Sequence, residues 1–364
     1  MSFSLPEYHA PDFAALGLLH APQAVTGAAP RDGVVPEGYH ATTIFPEYFH
    51  VGDRWLLAQE SRMDCVAVLT PEGEIAVREF RNIRAGDAVI LGRTEDGSEG
   101  IYVHPHGFDA GEEGTHESFS FRNSRSRETA YSCDYDQLYE LLRHEREHGR
   151  ILWVLGPACS FDADARNAMA SLIERGFCHG LMAGNALATH DLEGALLRTA
   201  LGQDIYTQRA MPNGHYHHID VINRVRACGS IPAFLAQYGI RDGIMHACVE
   251  KGVPFVLAGS IRDDGPLPPV YGDVYAAQNA MRDQIRSATT VISMATMLHT
   301  IATGNMTPSY RVLPDGTVRQ IYFYCVDVSE FVVNKLADRG SLSARGIVTN
   351  VQDFVVNLQK GLGL

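Results

Sequence analysis

The sequence predicts an α/β protein, a Rossmann-like doubly wound parallel sheet with a smaller N-terminal β-rich domain. Strand-length runs that are apolar throughout, ILWVL (151–155), GLMAG (180–184), VPFVLAG (253–259), TVISMAT (290–296) and IYFYCVD (321–327), alternate with amphipathic helical patterns. That alternation marks a parallel sheet covered on both faces. Up to about residue 125 the pattern is different, with short runs of period two broken by turn chemistry, as in an antiparallel β domain. The length of 364 residues suits two domains at roughly 150 residues each, and the expected division is 1–125 and 126–364.

Taken in order, WLLAQ (55–59) and CVAVLT (65–70) precede the Pro71-Glu72-Gly73 turn, and EIAVREF (74–80), DAVILGR (87–93) and IYVHPHG (101–107) follow it. The polar stretch from Glu112 to Arg127 has little periodicity and reads as a loop or linker. From Tyr135 to His148, Leu138, Leu141 and Leu142 share one helical face, and Gly149 ends the helix. The strand ILWVL leads through Gly156-Pro157 to a helix from Asp162 to Arg175, closed by Gly176. After GLMAG a helix is expected from about Asp191, then helices ending at Gly229, Gly239 and Gly252. A helix over 273–287 and another after Ser329 complete the series.

Composition excludes several classes. With 30 basic against 43 acidic residues and a net charge of −13, the chain lacks the positive footprint of a nucleic-acid binder. No apolar run approaches the ~18 residues that a membrane span needs, and no basic segment precedes the short apolar patch near Met1. A secretory signal is therefore not expected, and a cytoplasmic location is. Lysine occurs only at Lys251, Lys335 and Lys360, which weighs against a lysine Schiff-base mechanism in the first two-thirds. The seven cysteines include no C-x-x-C pair, so neither a disulfide framework nor a structural zinc site is expected.

In a doubly wound sheet, ligands bind outside the carboxyl ends of the strands, where strand order reverses. The segments just after each strand are rich in small residues, hydroxyls, amides and carboxylates: Gly156-Pro157-Ala158, Ala183-Gly184-Asn185-Ala186, Gly259 to Gly265, Ala295 to His299, and Asp327 to Ser329. This suits a nucleotide, although G-x-G-x-x-G is absent. Asp327 is positioned either for ribose hydroxyls or for a helix cap, a job for which Ser329 competes. In SIRDDGPLP (260–268) adjacent carboxylates point apart, so one faces a ligand while the other caps or pairs with Arg262; the alternative is a purely structural turn. His215-Tyr216-His217-His218 resembles a metal cluster, but no further ligand is identifiable, and no metal is expected. Met63-Asp64-Cys65 opens a strand; an exposed acid beside a thiol reaches the interdomain cleft, or Cys65 is a buried strand-start residue.

The strings GPACSFDADARNAM, LMAGNALATHDLEGAL, GHYHHIDVINRVRACGSI, GIMHACVEKGVPFVLAGSIRDDGPLP, ATMLHTIATGN and VDVSEFVVNKLADRGS resemble the archaeal-type ornithine cyclodeaminase family. That family is also labelled as a conserved region of lysine-oxoglutarate reductase/saccharopine dehydrogenase, and it forms the carboxy-terminal part of cyanobacterial arginine dihydrolase fusions. The match runs from about Val35 to near the C-terminus. The resemblance implies an unusual Rossmann-like domain that binds NAD through Asn185, Ala186, Asp264, Thr296, Met297, Leu298, His299 and Asp327. It also implies conversion of L-ornithine to L-proline and ammonia by internal hydride cycling. Asp64 and Asp263 are the candidates for amine recognition or proton transfer, with Cys65 beside them. Departures fall on the substrate side: Ala41-Thr42-Thr43-Ile44-Phe45-Pro46 replaces S-T-T-N-L-P, and Gly214-His215-Tyr216-His217-His218 replaces G-H-x-N-H. An NAD-dependent amino-acid or opine-type dehydrogenase is therefore the second reading, and a nucleotide-binding sensor the third. The expected partner is a small amino acid, with no nucleic acid and no membrane, and a homo-oligomer is expected.

Overall fold

The computed structural model describes residues 4–108, 132–263, 265–329 and 343–364. The polar stretch from Glu112 to Arg127, the helix expected after Ser329 and Asp264 lie outside the described residues.

Period-two alternation in the first third produces two antiparallel sheets. The strands are β1 (Val25–Ala28), β2 (Glu47–Val51), β3 (Arg54–Leu57), β4 (Val66–Leu69), β5 (Ile75–Arg78), β6 (Ala88–Leu91) and β7 (Ile101–Val103). One sheet has the order β1-β6-β4-β5 and the other β3-β2-β7. The expected turn joins β4 to β5, where the Thr70 amide donates to Glu74 O at 2.9 Å. Phe49, Cys65, Ala67, Ile75, Ile90 and Ile101 from both sheets share one core.

The larger lobe runs α1 (Ser132–His148), β8 (Ile151–Leu155), α2 (Ala163–Glu174), β9 (Gly180–Gly184), α3 (Asn185–Leu197), β10 (Thr199–Ala200), β11 (Gln203–Asp204), α4 (Gly214–Cys228), α5 (Ile231–Tyr238) and α6 (Ile244–Lys251). It continues with β12 (Phe255–Ala258), β13 (Val270–Tyr271), α7 (Val274–Ile285), β14 (Thr290–Met294), α8 (Met297–Met306), β15 (Tyr310–Val312), β16 (Val318–Gln320), β17 (Tyr322–Asp327), β18 (Ser343–Val348) and α9 (Val351–Leu362). Among the described residues a seven-stranded sheet has the order β13-β12-β9-β8-β14-β17-β18, parallel throughout. The strands are apolar throughout because both faces are covered. Trp153 and Leu155 of β8 face a core shared with α2, α3, α6 and α9, whereas Leu152 and Val154 face one built with α7 and α8.

Helix boundaries follow local chemistry. The Asp162 side chain accepts from the Ala165 amide to start α2, and Asp273 does the same for α7 through Ala276. Left-handed Gly229, Gly239 and Gly252 end α4, α5 and α6. The start expected near Asp191 is corrected: α3 begins at Asn185, directly off β9. Its N-cap is Gly184, which offers no side-chain cap, and the helix is buried from Leu187 to Gly194, so no amphipathic period marks where it begins.

The small domain docks on the α7–α8 side. Tyr310 donates its hydroxyl to Ala58 O at 2.9 Å, and the Val312 amide donates to Gln59 O at 2.9 Å. Glu79 pairs with Arg62 of its own domain and with Arg282 of α7, the latter at 2.6 Å. Arg81 donates to the Asn279 side chain at 2.7 Å.

Candidate functional site

Chain order reverses between β8 and β14, so their carboxyl ends form the switch point of the sheet. There the Gly156 amide donates to Met294 O at 2.8 Å. A Cβ on residue 156 would lie 1.8 Å from Ala295 O, so only glycine lets the two tips approach this closely. Ala295 itself holds a φ of 54°. This left-handed conformation costs an L-residue roughly 1 kcal/mol and is a strain that gathers at functional sites.

The next residues turn into α8. Thr296 Oγ1 lies 3.2 Å from His299 Nδ1. A Cβ on Gly184 would sit 3.1 Å from His299 Cε1, so the imidazole lies against the tip of β9, two strands away from its own. Burial holds His299 below its ordinary imidazole value, with Asp263 pulling the other way. The ring is therefore neutral at physiological pH. Asp263 Oδ2 accepts from the Ser260 amide at 2.8 Å, and its own amide donates to Ser260 O at 3.1 Å, closing the turn after β12. Asn185 Oδ1 accepts from the Leu267 amide at 3.0 Å and from Thr189 at 3.3 Å, tying the start of α3 to the same turn. Asn185, Asp263, Thr296 and His299 thus come together at the tips of β9, β12 and β14.

The other expected residues divide. Ala186 is half-buried in the first turn of α3. Met297 and Leu298 are exposed in the first turn of α8. Asp327 ends β17 and accepts from the Ser329 amide at 2.9 Å. Asp64 is exposed in a tight turn at a φ of 61°. Cys65 is 2% exposed within the small-domain core. Burial pushes its thiol up to about 12, with Arg62 opposing and Glu79 and Glu60 adding to the rise. Of the two readings of Met63-Asp64-Cys65, its burial in the small-domain core matches the strand-start cysteine. His217 and His218 lie in the first turns of α4, and among the described residues no group of three or more His, Cys, Asp or Glu is arranged to hold a metal ion.

Gly156, Gly184 and Ala295 are the parts that sequence reasoning left among the strand-end residues without a role. Glycine at a strand–helix junction was the available signal for two of them. The strain at Ala295 has none, because alanine is common in every secondary structure.

The family model for "Arginine dihydrolase ArgZ-like, C-terminal, Rossmann fold" matches residues 137–358, and that for the "first region" matches 46–130. The ornithine cyclodeaminase of Methanopyrus kandleri is 39% identical over 346 residues, covering 94% of this chain and 79% of that one. The bifunctional arginine dihydrolase/ornithine cyclodeaminase AgrE of Nostoc sp. is 33% identical over 341 residues, covering 91% of this chain and 46% of that one. Among solved structures, a conserved LOR/SDH protein from Methanococcus maripaludis superposes with a TM-score of 0.83 at 36% identity, covering 93% of this chain and 98% of that one. AgrE in ternary complex with ornithine and NAD+ gives 0.59 at 32% identity, covering 94% of this chain and 46% of that one. Two regions matched in order, with close relatives aligned over almost the whole chain, establish that it belongs to the archaeal-type ornithine cyclodeaminase family, which shares its Rossmann region with the ArgZ-like arginine dihydrolases.

Proposed function

We propose that this chain is an NAD-dependent ornithine cyclodeaminase, converting L-ornithine to L-proline and ammonia without net oxidation. The observation that carries the reading is the convergence of Gly156, Gly184, Asn185, Thr296 and His299 around the switch point of a Rossmann sheet. The named activity of relatives that align over most of their length supports it.

The residues present fit a dinucleotide. Gly184 and Thr296, the N-caps of α3 and α8, make no side-chain capping bond, and neither helix has an acidic residue in its first turn. Two helix N-termini with open amides are suited to a diphosphate. A Cβ on Gly156 would overlap the Ala295 backbone and one on Gly184 would press on the His299 ring, so both glycines let the strand tips and α8 come together closely. Ile261, Met297, Leu298 and Val328 are exposed around the same edge and offer apolar surface for flat rings. Asp327, at the end of β17, is the residue for ribose hydroxyls, and Asp264 is proposed as a further nucleotide contact.

When bound, NAD accepts the hydride of ornithine Cα and returns it to the cyclic imine. The chain's own task is to hold the diamino acid and move protons. Asp263 is the proposed anion for the substrate amine, beside the neutral His299 ring, and Asp64 a second on the small domain, whose residues 1–125 we assign to the substrate side. Net charge of −13 favours approach of a cationic diamino acid.

The test supplies the purified protein with L-ornithine labelled with 15N at the α-amine and adds no oxidant. Labelled ammonia and unlabelled proline in equal amounts are expected. If, in a parallel assay supplied with free NAD+, NADH accumulates mole for mole with the ornithine consumed and no proline forms, the protein is instead an NAD-dependent amino-acid or opine-type dehydrogenase.

A further inference from the structure

Ala186, His190 and Glu193 lie at i, i+4 and i+7 on α3 and so share one face of the helix. His190 and Glu193 are buried, the carboxylate completely. His190 Nδ1 lies 2.8 Å from Glu193 Oε2. Glu193 Oε1 accepts from the Thr199 hydroxyl at 2.8 Å and from the Gly202 amide at 3.1 Å. The single hydroxyl proton of Thr199 is thereby used, so at the 2.8 Å contact between Thr199 Oγ1 and His217 Nδ1 the imidazole is the donor. His217 is partly exposed in α4, and the His218 ring lies 6.2 Å from that of His190. The Phe161 ring, from the segment that follows the β8 tip, meets His190 edge-on at 5.7 Å.

The result is a continuous path of hydrogen bonds from a partly exposed histidine to an imidazole on the helix that starts at the β9 tip. Burial pushes Glu193 up, but the hydrogen bonds from His190, Thr199 and Gly202 outweigh it and hold the carboxyl below its ordinary value. Glu193 is therefore ionised. An ionised carboxylate only accepts, which puts a proton on His190 Nδ1; in the neutral form of the ring Nε2 is then the nitrogen that carries the lone pair. A buried, ionised carboxylate with this many donors is a poor choice for packing alone.

We propose that His190, oriented by Glu193 with Thr199 and His217 behind it, holds and returns the proton exchanged at the substrate nitrogen. The inference rests on the cyclodeaminase reading. The α-ammonium must lose a proton before the Cα–H electron pair leaves as hydride to the oxidised nicotinamide. That proton moves to His190 Nε2, giving an imidazolium paired with Glu193. The δ-ammonium gives its proton to solvent and its nitrogen bonds to Cα. The His190 imidazolium then protonates the original α-amine while the nitrogen of the new ring releases its extra proton to solvent. The Cα–N bond breaks with loss of ammonia, and the hydride returns to the cyclic iminium carbon to give proline. Glu193, Thr199 and His217 act through His190 and are positioning residues.

The experiment uses the full chain with its bound dinucleotide. His190→Ala is expected to lower kcat by about 100-fold or more, with KM for ornithine and dinucleotide content within threefold of the parent. Added imidazole is expected to restore part of the rate. Glu193→Gln should lower kcat by at least about 10-fold, because a neutral amide no longer fixes the tautomer. Nitrogen NMR of the parent should place the His190 proton on Nδ1, and in Glu193→Gln the signal should show a mixture. A kcat for His190→Ala within threefold of the parent, or a loss that imidazole does not relieve, overturns the proposal. Should His190→Ala fail to fold, Thr199→Val and the parent's NMR decide it: an unchanged Thr199→Val rate together with a proton on Nε2 rejects the relay. Should the parent make no proline, the cyclodeaminase reading fails by itself, and the NMR tautomer alone judges the arrangement of His190.

Discussion

Ala295 and Gly156 face each other across the switch point, and each is constrained for a different reason. Gly156 is demanded by space, since an added Cβ would lie 1.8 Å from Ala295 O, whereas Ala295 endures a φ of 54° that glycine would adopt more easily. Gly156→Ala is expected to destabilise the fold by about 2–4 kcal/mol, by overpacking at a backbone contact that no rotamer relieves. The same substitution should abolish dinucleotide retention, because the β8 and β14 tips separate. Chemical denaturation with dinucleotide content measured on the same sample checks both effects. Wild-type stability with full dinucleotide content would show that the close approach is not required. Cys65 shows the opposite situation at this scale: its neighbours include two arginines, yet burial still keeps the thiol protonated.

Among the elements, α8 links the site to the small domain. Its first turn carries Met297, Leu298 and His299, and beyond its last turn Ser309 donates to Ile44 O and, at 3.3 Å, to Ser61 O. A parallel link runs through α7, where Arg282 meets Glu79. Burial pushes the Glu79 carboxyl up, but the charge and hydrogen bond of Arg62, with Arg282 behind them, bring it down to about 2 from an ordinary 4.5. A carboxyl depressed in the folded state stabilises above its unfolded value and loses that contribution as pH falls towards the folded one. The contribution at neutral pH is about 2 kcal/mol, after allowance for solvent screening of a partly exposed group. Glu79→Gln should therefore lower stability at pH 7 by about that amount and by progressively less from pH 5 down to pH 2. Denaturation midpoints across this range test it, and a pH-independent deficit would assign the loss to packing instead.

For the whole molecule, the two cores on either side of the parallel sheet make the larger lobe a rigid frame, while the small domain rests on α7, α8 and β15. A dinucleotide bound at the strand tips would contact β8, β9, β12 and β14 together and stabilise the frame through mass action. Free NAD at 100 times its Kd is expected to add about 2.7 kcal/mol, a shift of several degrees in Tm. Asp327→Ala should weaken that response without removing it. No shift at millimolar NAD would remove the cofactor from the proposal. Among the described residues no helix is long and apolar enough to cross a membrane.

What the sequence alone determined was local in origin. Apolar runs such as ILWVL and TVISMAT specify strands covered on both faces, and Gly229, Gly239 and Gly252 stop helices through their own backbone preferences. The strand-end segments were legible as the expected ligand edge of a parallel sheet, and the fold gathers Asn185, Asp263, Thr296 and His299 there. Tertiary structure alone decided the rest. The division of the small domain into two sheets, the reversal of order at β8 and the burial of Cys65 depend on partners distant in the chain. The start of α3 was hidden because a glycine cap and all-round burial leave no periodic signal. His190 and Glu193 were visible only as ordinary helical residues, since Thr199, Gly202 and His217, which turn the pair into a network, arrive from separate segments. Hydrogen bonds over such separations depend on folded geometry, which residue order along the chain does not specify by itself.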